Sequence, residues 1–264
     1  MDLKLNGKTA LVTGSTAGIG LAIAKSLAAE GARVYVNGRT QERVDKAVKE
    51  VKQFAPKAEV TGIVADFAGA AGADAVIAQL GAADVLVNNV GIFEPKPFAE
   101  IPDADWYRLF EINVMSGVRL SRAYLPGMQK KNWGRIIFIS SESGVQIPVE
   151  MVHYGMTKTA QIAIARGIAE TVAGTGVTSN SVLVGPTESE GVGVFVESLA
   201  KQQSKSKAQV EKEFFQHARP TSLLKRFGTV EETASLVTYL AGEPSSATNG
   251  AAVRADGGVV RAIL

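Results

Sequence analysis

The fold is decided by a glycine-rich loop near the N-terminus, Thr13-Gly14-Ser15-Thr16-Ala17-Gly18-Ile19-Gly20. The loop follows a short apolar run, residues 9–13, that predicts a buried strand, and it leads into a helical pattern over residues 19–30. Glycines in such a loop allow a tight turn and let the backbone approach a pyrophosphate closely. The following helix offers free N–H groups and the positive end of its dipole to phosphates. The loop therefore predicts a dinucleotide site, and the structural alternative is an ordinary strand-to-helix turn.

The rest of the chain continues this alternation. Short apolar runs that predict strands cover residues 9–13, 33–37, 60–66, 84–88, 135–140, 177–184 and 251–254. Patterns that predict helices cover residues 19–30, 41–54, 68–80, 103–126 with a break near Asn113, 152–173 and 229–240. Apolar strands that alternate with helices indicate a parallel sheet covered on both faces. We therefore expect a single α/β domain over residues 1–264, with the doubly wound parallel sheet of a Rossmann fold.

One segment, residues 188–220, departs from the alternation. Its middle is rich in lysine and glutamine, and an apolar patch covers residues 192–199. The segment follows the carboxyl end of a strand, which is where open α/β sheets bind their ligands. We therefore expect a partly helical lid over the substrate.

Composition excludes several classes of site. The net charge of +2 gives no sign of a nucleic-acid or membrane partner. The absence of cysteine excludes disulfides, thiolate catalysis and cysteine metal sites, and two histidines, His153 and His217, are too few for a histidine-rich metal site. No apolar run approaches the roughly 20 residues that span a bilayer, and the charged N-terminus lacks the apolar core of a signal peptide. We expect a cytoplasmic protein with no metal.

Tyr154 and Lys158 lie four residues apart on a predicted helix, so both side chains project from one face. A phenol has a pKa near 10 and is a poor acid–base group at neutral pH. A neighbouring ammonium stabilises the phenolate and lowers that pKa toward the working range. The pair alone is a weak signal, because the same spacing is common on solvated helix faces.

Further motifs follow in the order typical of the short-chain dehydrogenase/reductase family, which the sequence resembles over nearly its whole length. The first loop has the spacing T-G-x-x-x-G-I-G, and Asn88-Asn89-Val90-Gly91 resembles the family's N-N-A-G. Asn113 matches the family's asparagine, and Ser141 matches its serine, thirteen residues before the tyrosine. The chain is similar to the 3-oxoacyl-[acyl-carrier-protein] reductases of that family.

The resemblance implies hydride transfer between a nicotinamide dinucleotide and a carbonyl or alcohol carbon. Tyr154 would exchange a proton with the carbonyl oxygen, and Ser141 would hydrogen-bond the same oxygen. Lys158 would bind the nicotinamide ribose and lower the pKa of Tyr154, and Asn113 would hold a water that connects Lys158 to solvent. The residues expected to bind the cofactor are Gly14, Ser15, Thr16, Gly18, Ile19, Gly20, Arg39, Asp66, Phe67, Asn89, Gly91, Tyr154, Lys158, Gly185, Thr187 and Ser189.

The resemblance also bears on which dinucleotide binds. An acidic residue at the end of the second strand bonds the ribose 2′-hydroxyl of NAD, but here Gly38 stands where NAD-preferring relatives carry the acid. Arg39 could instead bind a 2′-phosphate, helped by Ser15 or Thr40. We therefore expect NADP(H) to be favoured over NAD(H), although Ala17, where many NADP-dependent relatives are basic, adds no support.

Late in the chain, Val184 replaces the proline of the family's Pro-Gly pair and Gly185 is kept. Ser189 takes the place of a threonine that follows in relatives, and Thr187 is the alternative donor to the nicotinamide carboxamide or a phosphate. Asp66 would contact adenine, or it could simply cap the next helix.

Three functions stay open. The first is an NADPH-dependent reductase of a ketone or 3-oxoacyl-type substrate, favoured by apolar residues at 92–93 and 147–153. The second is an NAD(P)+-dependent secondary-alcohol dehydrogenase, which runs the same chemistry backwards. The third is a non-catalytic dinucleotide sensor or scaffold, although such chains are expected to lose the tyrosine or the lysine. The resemblance further implies a homodimer or homotetramer.

Overall fold

The computed structural model describes residues 1–203 and 205–263, without the side chains of residues 190, 191, 194, 195, 198, 199 and 202. Residue 204, inside the predicted lid, and residue 264 lie outside the described residues, as do several side chains of the predicted apolar patch at 192–199.

Seven strands form one sheet in the described part of the chain. They are β1 (Thr9–Val12), β2 (Arg33–Gly38), β3 (Val60–Val64), β4 (Val85–Asn88), β5 (Gly134–Ser141), β6 (Val177–Val184) and β7 (Ala252–Ala255). Their order is β3-β2-β1-β4-β5-β6-β7, and every neighbouring pair is parallel. The prediction of a doubly wound parallel sheet is confirmed. Because the winding reverses between β1 and β4, a crevice for a ligand opens at the carboxyl ends of these two strands.

Nine α-helices accompany the described strands. They are α1 (Gly18–Ala29), α2 (Gln41–Phe54), α3 (Ala70–Leu80), α4 (Asp103–Phe110), α5 (Ser116–Lys131), α6 (Val152–Thr171), α7 (Glu190–Gln203), α8 (Lys207–Glu213) and α9 (Val230–Ala241). Helices cover both faces of the sheet, and successive residues of a strand point to opposite faces. The strands therefore need apolar side chains in both directions. In β1, Ala10 and Val12 pack with α1, α2 and α9, whereas Leu11 packs in a second core on the opposite face, with α3 and α5.

The predicted helix over residues 103–126 is two helices with a π-helical turn between them, Glu111–Met115, so the predicted break near Asn113 is confirmed. The predicted end at Pro126 is wrong, because α5 continues to Lys131 with that proline inside it. A proline removes only one backbone donor, and the helix ends where Asn132 adopts a left-handed conformation, with φ of 52°.

The segment that departs from the alternation is partly helical, as predicted. It contains α7, α8 and a π-helical turn, Phe214–Ala218, and it follows the carboxyl end of β6. Ser206 and Gln209 form reciprocal caps at the start of α8. Within residues 1–203 and 205–263, none of the helices has the length and apolar character needed to cross a membrane.

Candidate active site

The glycine-rich loop has the shape that a pyrophosphate requires. Gly14 and Gly18 adopt left-handed φ values of 60° and 54°, which residues with a side chain rarely adopt. A Cβ atom at Gly20 would lie 2.5 Å from the carbonyl oxygen of Gly14 and 2.5 Å from Nδ2 of Asn89. Ala17 occupies the cap position of α1 and no side chain caps that helix, so the helix N-terminus remains open to an anion.

A buried asparagine that the motif analysis did not single out supports this loop. Asn37, at 1% exposure, accepts a hydrogen bond through Oδ1 from the backbone N–H of Gly14 at 3.0 Å. Its Nδ2 donates to the carbonyl oxygens of Ile63 and Ala65, both at 3.2 Å. One amide therefore connects the loop, β2 and β3. The only signal in the sequence was a polar residue inside a buried strand.

The expectation that the Ser15 hydroxyl helps to bind a 2′-phosphate is wrong. Ser15 is fully buried, and its hydroxyl donates its only proton to the carbonyl oxygen of Val12 at 2.7 Å. The same hydroxyl accepts from the backbone N–H of Asn37 at 2.9 Å, and the N–H of Ser15 donates to the Asn37 carbonyl at 2.9 Å. Ser15 therefore shapes the loop and has no proton to offer a phosphate.

At the end of β2, Arg39 is exposed, with no hydrogen-bond or ion-pair partner among the residues that the structure describes. A Cβ atom at the preceding Gly38 would lie 2.3 Å from Cγ2 of Thr16. The space that an acidic side chain would need is therefore occupied by Thr16. Thr40 caps α2 by accepting from the N–H of Arg43 at 3.4 Å.

Asp66 and Phe67, which follow β3 closely, differ from expectation. Asp66 is exposed, and its Oδ1 accepts from the N–H of Ala68 at 3.1 Å. This bond closes a turn before α3, whose cap position is Gly69 and has no side-chain cap, so the capping alternative is wrong. The side chain of Phe67 is 3% exposed and packs in the second core with Leu11 and Ile63. The Phe67 ring therefore faces the core, so the prediction that it contacts a cofactor is wrong for its side chain.

After β4, Asn89 lies beside the glycine-rich loop, and Gly91 lies beside Lys158. Nδ2 of Asn89 donates to the carbonyl oxygens of Thr13 and Gly14 at 2.9 Å and 3.0 Å. A Cβ atom at Gly91 would lie 3.3 Å from Nζ of Lys158. The absence of a side chain at Gly91 leaves this space open beside the ammonium.

A cavity of about 610 Å³ lies at the carboxyl ends of β4, β5 and β6. The predicted site residues that line it are Ile19, Asn89, Gly91, Ser141, Tyr154, Lys158, Gly185, Thr187 and Ser189. The predicted site residues that do not line it are Gly14, Ser15, Thr16, Gly18, Gly20, Arg39, Asp66, Phe67 and Asn113. Apart from Phe67, the second group lies around the first loop, the carboxyl ends of β2 and β3, and the π-helical turn.

The cavity has an apolar wall from the predicted lid, from the loop after β4 and from the residue that precedes α6. Phe93, Met151, Val192, Val210 and Phe214 all line it. His153, expected among the pocket residues, is instead fully buried with its ring 5.8 Å from that of Trp106. Residues 147–149, which were also expected there, do not line the cavity.

The loop after β6 carries the two candidate donors, Thr187 and Ser189, and their hydroxyl groups make different hydrogen bonds. A Cβ atom at Gly185 would lie 2.5 Å from the carbonyl oxygen of Asp256, so the close approach of two backbones requires glycine. Thr187 donates its hydroxyl proton to the Gly185 carbonyl at 3.0 Å. The Ser189 oxygen accepts from the N–H of Val192 at 3.4 Å, an arrangement that does not use its own proton.

Ser141 contacts a charged pair that the motif analysis missed. The Ser141 hydroxyl donates to Oε2 of Glu142, which also accepts from the N–H of Ser143 at 2.9 Å. Oε1 of Glu142 accepts from Nε of Arg219 at 2.8 Å, and both side chains are nearly buried, at 5% and 11% exposure. Arg219 also lies 3.5 Å from Glu150 at the cavity rim. The pair therefore connects the predicted lid to the strand end that carries Ser141.

Lys158 and Asn113 are joined by the side chain of Gln161. Nζ of Lys158 donates to the Ile139 carbonyl at 2.9 Å and to Oε1 of Gln161 at 3.1 Å. The Asn113 carbonyl accepts from Nε2 of the same Gln161 at 2.6 Å. The Asn113 side chain exchanges hydrogen bonds with the backbone of Ile92, at 2.8 Å and 2.9 Å.

Burial favours the neutral forms of both Tyr154 and Lys158. It raises the pKa of Tyr154, and the nearby Glu142 carboxylate raises it further, while a hydrogen bond with Ser141 opposes the change. Burial lowers the pKa of Lys158 to about 8, and Glu142 opposes that shift. The phenol is therefore protonated at neutral pH, in position to act as an acid.

The chain is similar to known proteins in both sequence and structure. The family model for short chain dehydrogenases matches residues 8–200. The chain is 47% identical to the uncharacterized oxidoreductase YvaG of Bacillus subtilis over the full length of both. It is 31% identical to the 3-oxoacyl-[acyl-carrier-protein] reductase FabG of Aquifex aeolicus, over 98% of this chain and 100% of that protein. The structure of L-sorbose reductase from Gluconobacter frateurii, complexed with NADPH and L-sorbose, superposes with a TM-score of 0.93 at 30% identity, over 100% of each chain.

Proposed function

This chain belongs to the short-chain dehydrogenase/reductase family, and we propose that it is a carbonyl reductase that uses NADPH. Family membership makes it an NAD(P)-dependent oxidoreductase of CH–OH and C=O groups. The proposed substrate is a ketone or a 3-oxoacyl-type compound. The main observation in support is the cavity that Ser141, Tyr154 and Lys158 line together beside the glycine-rich loop.

The residues present fit a nicotinamide dinucleotide. The left-handed glycines and the uncapped N-terminus of α1 suit the pyrophosphate. The absence of a side chain at Gly91 leaves space for a ribose beside Lys158. When bound, the dinucleotide supplies the hydride. The proposal of NADP(H) over NAD(H) is supported by Gly38, by the exposed Arg39, which has no partner among the described residues, and by the NADPH in the L-sorbose reductase structure.

The catalytic proposal assigns each polar group a proton or a charge. Tyr154 donates its proton to the carbonyl oxygen of the substrate as that oxygen becomes an alkoxide. The Lys158 ammonium then stabilises the phenolate, since Nζ lies 5.5 Å from the centre of the tyrosine ring. Ser141 lies beside the phenol, and its hydroxyl proton, which goes to Glu142 in the structure, turns to the substrate oxygen to stabilise it. The wall to which Val192, Val210 and Phe214 contribute acts as the lid that excludes water.

The substrate proposal is tested with a panel of ketones, 3-oxoacyl thioesters and secondary alcohols, followed at the nicotinamide absorbance band. We expect NADPH oxidation with compounds whose apolar part fits against Phe93 and Phe214. No turnover of any carbonyl, with tight dinucleotide binding retained, would favour the sensor alternative. The proposal also includes a homodimer or homotetramer, which rests on the family resemblance.

Arg39→Gln is expected to lower kcat/KM for NADPH by about 10- to 100-fold and to leave kcat/KM for NADH unchanged. A charged hydrogen bond to a phosphate contributes an effect of this size, and only NADPH carries the 2′-phosphate. Steady-state kinetics with each cofactor measure the change. Arg33→Gln, at the other end of β2, is the matched control. An equal loss with both cofactors, or a wild-type preference for NADH, would contradict the assignment.

Carbonyl reduction is expected to slow as the pH rises above about 8. The charged form of Lys158 exists below its pKa, which burial lowers to about 8, and above that pH the phenolate formed at Tyr154 loses its cationic partner. The dependence of log kcat/KM on pH reports groups of the free enzyme and should fall about tenfold per pH unit on the alkaline side. A profile that stays level to pH 10 would remove Lys158 from the proposed mechanism.

A further inference from the structure

Gln161 joins Lys158 to Asn113 inside the protein. Its Nε2 donates to the Asn113 carbonyl oxygen at 2.6 Å, and its Oε1 accepts from Nζ of Lys158 at 3.1 Å. Gln161 and Asn113 are each 1% exposed, and Lys158 is 5% exposed. Bulk water therefore does not compete for these hydrogen bonds, and both ends of the amide are satisfied.

The backbone on the other side of this bridge is irregular. Asn113 lies in the π-helical turn Glu111–Met115, between α4 and α5. Such turns interrupt the regular hydrogen-bond pattern of a helix and are frequent at functional sites. The Asn113 carbonyl thereby meets a side chain of α6 that is 48 residues away in the sequence.

The bridge fixes the direction of the ammonium. A lysine ammonium has three donors, and two of them go to the Ile139 carbonyl and to Gln161. Lys158 also lines the cavity, and the open space at Gly91 lies 3.3 Å from Nζ. The third donor is therefore free to point into the cavity, where the substrate and the ribose would lie.

We propose that Gln161 is a positioning residue that holds the Lys158 ammonium in its working orientation and ties it to the Asn113 carbonyl. The inference rests on the proposed function, in which Lys158 supports Tyr154. Gln161 itself reaches neither the cavity nor the reacting atoms, so it acts through Lys158.

The charged groups around Lys158 determine how a substitution at Gln161 changes the titration of its amine. Tyr154 faces it from the same helix, and Glu142 faces it from the turn after β5, where Glu142 is paired with Arg219. Gln161 is the neutral partner in this group. Removing its oxygen withdraws a hydrogen bond from the ammonium, whereas a carboxylate in its place adds an opposite charge.

The test compares Gln161→Leu and Gln161→Glu in the cofactor-free protein. NMR of isotopically labelled lysine side chains, with the Lys158 signal assigned from Lys158→Arg, follows the titration of the amine. We expect the titration of Lys158 to move to lower pH in Gln161→Leu and to higher pH in Gln161→Glu. Thr159→Val is the control, because Thr159 is one residue from Lys158 but its hydroxyl bonds the carbonyls of Gly144 and Gly155.

Turnover provides the second readout. Gln161→Leu should lower kcat for carbonyl reduction about tenfold, the factor of one lost charged hydrogen bond, with a smaller change in KM, and should move the alkaline limb of the pH profile downward. Gln161→Glu is nearly isosteric and should move that limb upward. An unchanged Lys158 titration in folded Gln161→Glu would overturn the inference. Opposite shifts without turnover of any carbonyl would instead overturn the proposed function and leave the positioning role intact.

Discussion

Tyr154→Phe is expected to lower kcat for carbonyl reduction by about 10²- to 10⁴-fold while the protein still binds NADPH. The range is that of a lost general acid in a positioned site. The substitution removes only the hydroxyl, and the ring keeps its edge-on contact with Phe93, whose centre lies 6.1 Å away. The wall of the cavity therefore stays in place, and the loss falls on proton transfer. Stopped-flow or steady-state assays measure turnover, and the fluorescence of bound NADPH measures the dissociation constant.

Tyr124→Phe is the matched control for this variant. The Tyr124 hydroxyl is buried without a hydrogen-bond partner among the described residues, and burial raises its pKa to about 12. Tyr124 lies on α5 in the second core and does not line the cavity. Its loss of a hydroxyl should leave kcat unchanged. A Tyr154→Phe protein with near-normal turnover would exclude Tyr154 as the proton donor.

The sequence predicted the sheet and much of the site because those features are local. Each strand is a short apolar run, and the residues of β1 alternate between two apolar cores, a pattern that a sheet covered on both faces requires. Tyr154 and Lys158 lie one helical turn apart on α6, so their common face follows from spacing alone. The glycine-rich loop likewise predicts its own turn, since Gly14 and Gly18 require a left-handed backbone.

The missed residues depend on contacts between distant parts of the chain. Glu142 follows the serine directly, but its partner Arg219 lies 77 residues later, beyond two helices of the predicted lid. Gln161 lies three residues after Lys158, on the same face of a predicted helix. Only the fold places the Asn113 carbonyl beside it. Ser15 was misassigned for a different reason, since its contact is local. No spacing rule shows whether a loop hydroxyl points toward a ligand or toward the carbonyl of Val12.

Arg219→Met is expected to lower the free energy of unfolding by about 3–5 kcal/mol, the range for removing one partner of a buried ion pair. Its side chain is 11% exposed, and Glu142, at 5%, would keep a charge without a cationic partner. Methionine retains part of the apolar length of the arginine stem, so the loss reports mainly the unpaired carboxylate. Urea denaturation at one protein concentration, followed by the fluorescence of Trp106 and Trp133, measures the difference.

The double variant Glu142→Gln with Arg219→Met separates charge from packing. If the penalty arises from an unpaired buried carboxylate, the neutral amide should restore most of the lost stability, so the two substitutions are far from additive. The amide oxygen that Glu142→Gln introduces would still accept from Ser141 and from the N–H of Ser143, which Glu142 bonds at 2.9 Å. Additive losses in the double variant would mean that Arg219 stabilises the residues 188–220 by its own packing, without acting through the carboxylate beside Ser141.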